Sequence, residues 1–174
     1  MSLLVRRRAQ AVSATIVLSL FLSACGFTPL YATRGQNESI VTLLATISVQ
    51  ASGDRVGRAL RVALEDKLGS NATTQHQYGV VLESRLSEID VAVQQDTEVT
   101  RQNLRLNTEF YLSNAETGEV IYFAKSNGTV AFNRVASEFA NIIAERDAQE
   151  RVANQVAEDI HSKLAIYFQR QQPN

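Results

Sequence analysis

Hydrophobic and polar residues alternate most regularly over residues 99–114, VTRQNLRLNTEFYLSN. One parity carries Leu104, Leu106, Phe110 and Leu112, and the other carries Arg101, Asn103, Arg105, Asn107 and Glu109. A period of two predicts a strand with one buried face. Turn residues follow at 115–118, AETG, so the next segment is predicted to return as the second strand of a hairpin.

The returning segment, residues 119–132, carries apolar residues on both parities. Val120, Tyr122, Ala124, Val130 and Phe132 share one face, and Ile121, Phe123 and Lys125 share the other. The second face is more apolar than a solvated face usually is. It is therefore a candidate for contact with a partner.

Two further strands are predicted, over residues 41–50 (VTLLATISVQ) and 78–93 (YGVVLESRLSEIDVAV). Both are rich in β-branched and aliphatic residues. In the second, the apolar positions change parity between Leu86 and Ile89. A β-bulge near Ser87–Glu88 would return all of them to one face, and the alternative is a strand with two half-buried faces.

Helical periodicity appears in two places. Val56, Leu60, Leu64 and Leu68 recur every four residues between Asp54, a candidate N-cap, and Gly69, a suitable C-terminal glycine. A long helix is predicted from about Ala136 to Gln169, with Ser137 as its N-cap. Its apolar stripe consists of Val152, Val156, Ile160, Leu164 and Phe168, flanked by Ala153, Ala157 and Ile143.

The predicted order is β-α-β-β-β-α. Three consecutive strands with short connections favour antiparallel pairing, and each helix has one apolar stripe to bury. The fold class is therefore α+β, a two-layer sandwich with a mostly antiparallel four-stranded sheet and two helices on one face. The other face of the sheet is then uncovered unless a partner covers it.

The N-terminal residues have the pattern of an export signal. Arg6, Arg7 and Arg8 precede the apolar run 11–24, which is shorter than the ~20 residues that span a bilayer. The next residue is Cys25, and LSAC resembles the bacterial lipobox. That resemblance implies cleavage before Cys25 and a covalent lipid on its thiol, in preference to the alternative of a buried free cysteine.

These patterns divide the chain into a lipoprotein signal peptide (1–24), a lipidated N-terminus and polar tether (25–39), one domain (40–170) and a tail (171–174). After cleavage, 14 basic and 18 acidic residues remain, a formal charge of −4. The acidic balance argues against a nucleic-acid partner. Without a second cysteine, packing alone must hold the domain together.

Candidate catalytic residues are sparse. The two histidines are His76, in a predicted loop, and His161, three residues after Glu158 on the long helix. Glu158 and His161 could belong to a helical metal site, but a solvated charge run beside the core stripe is the favoured interpretation. No phosphate-binding glycine loop or nucleophile elbow occurs. We therefore expect no enzymatic activity, no metal and no cofactor other than the lipid on Cys25.

The motif CGFTPLY after the lipobox and the terminal helix AERDAQERVANQVAEDIHSKLAIYF together resemble the LPS-assembly lipoprotein family (LptE, also called RlpB). The similarity covers essentially the whole mature chain. It implies a lipid-anchored protein on the periplasmic side of the outer membrane. It also implies a partner, the β-barrel LptD, in whose lumen the lipoprotein sits as a plug, and a role in lipopolysaccharide insertion. Gly26, rather than Asp, after the cysteine fits sorting to the outer membrane.

The resemblance and the strand pattern together nominate contact residues. Expected partner contacts are Phe27, Pro29, Leu30, Tyr31, Ile121 and Phe123. Direct lipopolysaccharide binding is possible through Arg101, Arg105 and Lys125, which share the outward sense; the alternative is a solvated edge in which these cations pair with Glu109. Competing functions are a periplasmic-face carrier that binds a lipid or small ligand between helices and sheet, in an apolar cavity of ~300–1,000 Å³, and a structural envelope lipoprotein without a specific barrel.

Overall fold

The computed structural model describes residues 36–70, 75–90 and 100–171 of the chain. These residues form three helices and four strands in the order α-β-α-β-β-β-α. The elements are α1 (Gln36–Ala45), β1 (Ile47–Ala51), α2 (Arg55–Leu68), β2 (Tyr78–Asp90), β3 (Thr100–Asn114), β4 (Val120–Arg134) and α3 (Glu138–Gln171).

The four described strands form one sheet in the order β1-β2-β3-β4. β1 runs parallel to β2 from the pair Ile47 and Tyr78, whereas β2, β3 and β4 are antiparallel neighbours. A parallel pair needs a crossover connection, and α2 provides it. The predicted α+β class with a mostly antiparallel four-stranded sheet is confirmed.

The apolar core lies between the sheet and the pair of helices α2 and α3. Phe110 and Leu106 from the sheet and Leu60 and Leu64 from α2 are fully buried. The predicted stripe on α3 is buried along its whole length: Val152, Val156, Ile160, Leu164 and Phe168. Burying one large aliphatic side chain contributes roughly 1.5–3 kcal/mol. This layer is therefore the main source of the domain's stability.

Both ends of α2 are formed by the predicted residues. The Asp54 carboxylate accepts a hydrogen bond from the Gly57 N–H at 3.2 Å, which satisfies a donor left free at the helix N-terminus. Gly69 follows the helix in the left-handed conformation, with φ of 67°, and its N–H donates to the Asp66 carbonyl. The N-cap and the C-terminal glycine are both confirmed.

The hairpin between β3 and β4 turns at the predicted residues. Asn114 Oδ1 accepts hydrogen bonds from the backbone N–H groups of Glu116 and Thr117, at 2.8 and 3.2 Å. Gly118 completes the turn with φ of 70°, a conformation that favours glycine. After β4, Ser137 Oγ accepts the Ala140 N–H at 3.4 Å, as expected of an N-cap for α3.

The strand predicted over residues 41–50 is wrong in its first part. Residues 36–45 form α1, and the strand begins at Ile47. Ile40 and Leu44 are both buried and stand four residues apart, which places them on one side of a helix. The β-branched residues around them favour a strand, and the packing of these two side chains overrides that preference. Of the segment interpreted as a polar tether, residues 36–39 belong to α1.

β2 has no bulge near Ser87–Glu88. Its register with β3 is continuous from the pair Tyr78–Asn114 to the pair Asp90–Gln102. Leu86 and Ile89 therefore lie on opposite faces of the sheet, and both are half-buried. The bulge prediction is wrong, and the alternative of two half-buried faces holds as far as Ile89. Val91 and Val93 lie outside the described residues.

In its first turns, α3 buries a polar and a small residue instead of large aliphatic side chains. Asn141 and Ala148 are buried there, and the Asn141 side chain binds the N–H and the carbonyl of Val135 at 2.8 and 2.9 Å. Ile143 lies on another side of the helix and is 47% exposed. The prediction that Ile143 flanks the buried stripe is therefore wrong.

Gly128 allows α3 to approach β4 closely. It faces the helices, opposite Leu106 of β3. A methyl group at Gly128 would lie 3.0 Å from Val156 Cγ2 and 3.2 Å from Val152 Cγ2, which is closer than side-chain carbons normally come. An alanine here would require the neighbouring side chains of Val152 and Val156 to move by a few tenths of an ångström.

Candidate partner-binding surface

The sheet has a second face, turned away from α2 and α3, which we call the open face. Its residues alternate with the core residues along each strand, and the register aligns them in rows across the sheet. The central rows are Gln50–Val81–Tyr111–Phe123, Glu83–Glu109–Lys125, Arg85–Asn107–Asn127 and Ser87–Arg105–Thr129. The open face is therefore a mixed surface with one apolar row beside charged and amide rows.

An aromatic pair gives the open face an apolar centre. The rings of Tyr111 and Phe123 have centroids 5.0 Å apart and are inclined by 32°. Phe123 is 47% exposed, and Val81, which pairs with Tyr111 from β2, is 40% exposed. Ile121, another predicted partner contact, is half-buried. We call Val81, Tyr111 and Phe123 the aromatic row. Exposed aromatic side chains with polar surroundings are typical anchors of protein interfaces.

The adjacent row is held by an ion pair. Lys125 Nζ donates to Glu109 Oε1 at 2.5 Å and lies 5.8 Å from the centroid of the Phe123 ring. This hydrogen bond and the lysine charge lower the pKa of Glu109, and the same two effects from Glu109 raise the pKa of Lys125. Burial, followed by the charges of Glu83 and Glu109, raises the pKa of Tyr111. At neutral pH Glu109 is therefore a carboxylate and Lys125 an ammonium group, and Tyr111 in the neighbouring aromatic row is a neutral phenol.

The three cations predicted to contact lipopolysaccharide lie on the open face but are spread along it. Lys125 is opposite Glu109, Arg105 is four residues from Glu109 on β3, and Arg101 is four residues further. At ~3.3 Å per residue, each step of four residues is about 13 Å. Lys125 is paired with Glu109, and the Arg105 Nε–H donates to Thr129 Oγ1 at 3.4 Å. Lipopolysaccharide contact by these residues stays a prediction.

A broad concavity of about 890 Å³ crosses the open face where β1 ends and β2 continues. Glu83, Arg85, Asn107 and Lys125 are among the residues that line it. Ala51, Val81 and Leu82 also contribute to its lining, which is therefore a mixture of charged, amide and apolar groups. The carrier hypothesis required an apolar cavity between helices and sheet, and that layer is occupied by the fully buried core side chains.

Five predicted site residues, Cys25, Phe27, Pro29, Leu30 and Tyr31, lie outside the described residues, and their roles stay predictions. Conversely, the sequence interpretation overlooked Val81 and Tyr111. The alternation in β3 does place Tyr111 on the outward parity. What the sequence does not contain is the cross-strand register, which brings Val81, Tyr111 and Phe123 into one row.

Glu158 and His161 have different surroundings. Lys67 Nζ donates to Glu158 Oε2 at 2.6 Å, which links α2 to α3 and lowers the pKa of Glu158. His161 is only 9% exposed, and burial lowers its pKa. The interpretation as a solvated charge run is right for Glu158 and wrong for His161, because His161 lies in the buried helix interface.

Within residues 36–70, 75–90 and 100–171, no group of three or more His, Cys, Asp or Glu side chains is arranged to hold a metal ion. None of the helices there has the length and apolar character needed to cross a bilayer.

Residues 44–164 match the family model LptE, described as lipopolysaccharide-assembly. The matched segment contains all four described strands, α2 and most of α3. No curated protein matches this chain in sequence.

Solved structures that match this chain include three bacterial proteins. A Caulobacter crescentus CB15 protein described as a lipoprotein is 24% identical, with a TM-score of 0.69 over 78% of this chain and 99% of that one. A minor lipoprotein from Acinetobacter baumannii is 18% identical, with a TM-score of 0.48 over 70% and 89%. Rare lipoprotein B from Shewanella oneidensis is 13% identical, with a TM-score of 0.45 over 67% and 94%. The Caulobacter structure supports the fold. Nothing is concluded from the other two, because their TM-scores are below 0.5.

Proposed function

This chain belongs to the LptE family of lipopolysaccharide-assembly proteins, and from that membership we propose where it acts and what it binds. It is a lipoprotein attached through Cys25 to the periplasmic side of the outer membrane. It binds an LptD-type β-barrel as a plug and folding partner, and thereby supports lipopolysaccharide insertion into the outer leaflet. The role is non-enzymatic, and the only attached group is the lipid on Cys25.

The observation that carries the barrel contact is the aromatic row on the open face. The lumen of a large outer-membrane barrel is polar and wet, and a surface that binds there needs both polar groups and a few apolar anchors. Phe123 and Val81 are exposed beside the Glu109–Lys125 ion pair, which supplies that combination. The row also lies on a regular sheet, so binding requires little reordering of its side chains.

The test is co-purification of the full chain with its barrel from detergent-solubilised outer membranes. Tyr111→Ala/Phe123→Ala should reduce the amount of barrel recovered at least tenfold, because truncated aromatic anchors typically cost 2 kcal/mol or more, where about 1.4 kcal/mol is tenfold. Phe139→Ala is the matched control, since Phe139 is 75% exposed on α3 and away from the open face.

Loss of the barrel with Phe139→Ala but not with the double variant would move the interface to α3. Absence of any co-purifying barrel with the unaltered chain would favour a structural envelope lipoprotein instead. Equal recovery with all variants would contradict the role of the aromatic row while leaving the partnership intact.

The lipid anchor rests on Cys25 and its lipobox. Cys25→Ala should abolish incorporation of a radioactive fatty acid, because the thioether cannot form without the thiol. The precursor should then keep residues 1–24. Label retained by the alanine variant would rule out Cys25 as the attachment point.

We also propose direct lipopolysaccharide contact through the three cations of the open face. Lipopolysaccharide is strongly anionic and the mature domain is net acidic, so any contact needs a local basic group. Arg101→Ala/Arg105→Ala/Lys125→Ala should keep the barrel complex and weaken lipopolysaccharide binding, most clearly at low salt. A charge-matched control removes Arg55, Arg146 and Arg170, which are exposed on the helices. Unchanged binding in the first variant would leave the domain as a plug and folding partner only.

A further inference from the structure

β4 has a free edge in the part of the chain that the structure describes, because it is the last strand of the sheet. The orientation of its backbone groups follows from β3. The Ala115 N–H donates to the Gln77 carbonyl, so odd-numbered residues of β3 bond towards β2 and even-numbered ones towards β4. Even-numbered residues of β3 pair with even-numbered residues of β4, as Phe110 does with Ala124. The odd-numbered residues of β4 therefore point their N–H and C=O groups outward.

Two of these outward carbonyls are occupied by cations from α3. Lys163 Nζ donates to the Lys125 carbonyl at 2.7 Å, and Arg151 Nη2 donates to the Ala131 carbonyl at 3.3 Å. Both acceptors have the outward parity. The two contacts therefore cover the edge of β4 rather than its faces.

Each cation is held in place by an aspartate one helical turn earlier. Asp159 accepts from Lys163 at 2.5 Å, and Asp147 accepts from Arg151 at 2.7 Å. Asp159 is itself fixed by the Ser126 hydroxyl at 2.6 Å. The arrangement is thus an Asp-x-x-x-cation unit that occurs twice along α3, and the cation of each unit reaches the edge of β4.

The two units match the strand in spacing. Arg151 and Lys163 are 12 residues apart, about 18 Å along a helix. The carbonyls of Ala131 and Lys125 are six residues apart, about 20 Å along a strand. Because α3 runs antiparallel to β4, both cations reach their carbonyls together. A single contact of this kind could be incidental. Two contacts whose spacing matches on the helix and on the strand indicate a specific arrangement.

We propose that Asp147–Arg151 and Asp159–Lys163 are edge guards that prevent β4 from accepting another strand. A long unpaired edge is a template for pairing with a further chain, and β4 has 15 residues. An added strand would have to displace both cations from their carbonyls. The strand always present at matching concentration is β4 of a second copy, which could pair antiparallel about a two-fold axis. This inference does not depend on the proposed barrel partner.

The test is sedimentation equilibrium of the full chain in one detergent. Arg151→Ala/Lys163→Ala should show a mass that rises with concentration towards twice that of the unaltered chain, which should not show this rise. The control Arg146→Ala/Arg170→Ala removes the same charge from exposed positions of α3. Because the guards are partly exposed ion pairs, their loss should leave the thermal unfolding transition in place.

A third variant tests where any association occurs. Adding Thr129→Pro to the guard variant removes an outward N–H between the two guarded carbonyls, and it should restore the unaltered mass. Slower amide exchange at Asn127 and Thr129 in the dimer would support the same conclusion. An unaltered mass in the guard variant would overturn the proposal. So would equal association in the control, or a dimer that persists with Thr129→Pro.

Discussion

The two faces of the sheet are built from alternate residues of the same strands, yet their surroundings differ. On the helix side, Leu106 and Phe110 of β3 are fully buried. On the open side, Arg105 and Asn107 are exposed and Tyr111 is half-buried. The difference arises because α2 and α3 cover only one face. The residues that stabilise the domain and those proposed to bind a partner therefore have opposite parities along one strand, so we expect that each set can be altered without the other.

The largest effect is expected from a charge placed on the helix side. Ile160→Asp or Val156→Asp should cost about 4 kcal/mol or more, because both side chains are fully buried and an unpaired carboxylate would be desolvated. Ile166→Asp is the matched control on α3, where the isoleucine is 40% exposed. Circular dichroism melts measure the difference. Equal melting temperatures for the three variants and the unaltered protein would mean that the core is placed on the wrong side of α3.

Alanine substitutions at two glycines, one on each face, compare the two faces directly. Gly128→Ala, on the helix side, should cost about 1–3 kcal/mol because the new methyl group presses on Val152 and Val156. Gly79→Ala, on the open face, meets only Ser48 and Ser113 oxygens at 3.5 and 3.6 Å, so it should be neutral or slightly stabilising. Urea denaturation gives both values. A smaller loss at Gly128 than at Gly79 would contradict the close approach of α3.

His161 should make the helix interface sensitive to mild acid. Because burial lowers its pKa below 6.5, the unfolded chain binds protons that the folded chain does not. The free energy of unfolding should therefore be maintained above pH 6.5 and fall as the pH drops through the folded pKa. His161→Leu should remove this dependence between pH 7 and pH 5, and the exposed His76→Leu should not. The lowered pKa of Glu158 acts only below pH 4.5, outside that window. Parallel slopes for both variants would contradict the assignment.

The smallest effect is expected on the open face. Glu109→Gln breaks the ion pair with Lys125, but both groups are solvated, so the thermal unfolding midpoint should stay within error. If the open face binds the barrel as proposed, the same variant should change the salt dependence of co-purification. A clear loss of thermal stability would mean that this ion pair supports the fold.

Those parts of the fold whose signals are local could be predicted from the sequence. The ends of α2 follow from Asp54 and Gly69, and the alternation in β3 identifies its buried face without knowledge of its neighbours. The stripe on α3 is equally local, because each member is four residues from the next. In these cases the chemistry of one element determines its structure.

The wrong predictions concern segments whose structure depends on contacts with residues distant in the sequence. α1 contains β-branched residues that favour a strand, and only the burial of Ile40 and Leu44 reveals a helix. The bulge proposed near Ser87 came from a parity change within one strand. The register with β3 shows that Ile89 simply belongs to the other face, while the register shift lies at Leu112/Ser113.

The face of the sheet on which the site residues lie could be predicted from the sequence, but their neighbours on adjacent strands could not. Outward parity nominated Phe123 and Lys125, and the structure places both on the open face. The solvated alternative named Glu109 as the partner of these cations, and in the structure Glu109 binds Lys125. The sequence did not reveal that Tyr111 and Val81 adjoin Phe123. Pairings across strands depend on register, which is set by the whole sheet.

The order of elements along the chain has a consequence for synthesis. All four described strands precede the stripe on α3, so they emerge before most of the layer that covers them exists. Until the residues from Val152 to Phe168 are available, Leu104, Leu106 and Phe110 have only α2 to shield them from water. A chain that emerges from its N-terminus must therefore wait for its last helix with an apolar sheet exposed to aggregation. Productive folding then depends on how long that interval lasts and on what shields the sheet in the meantime.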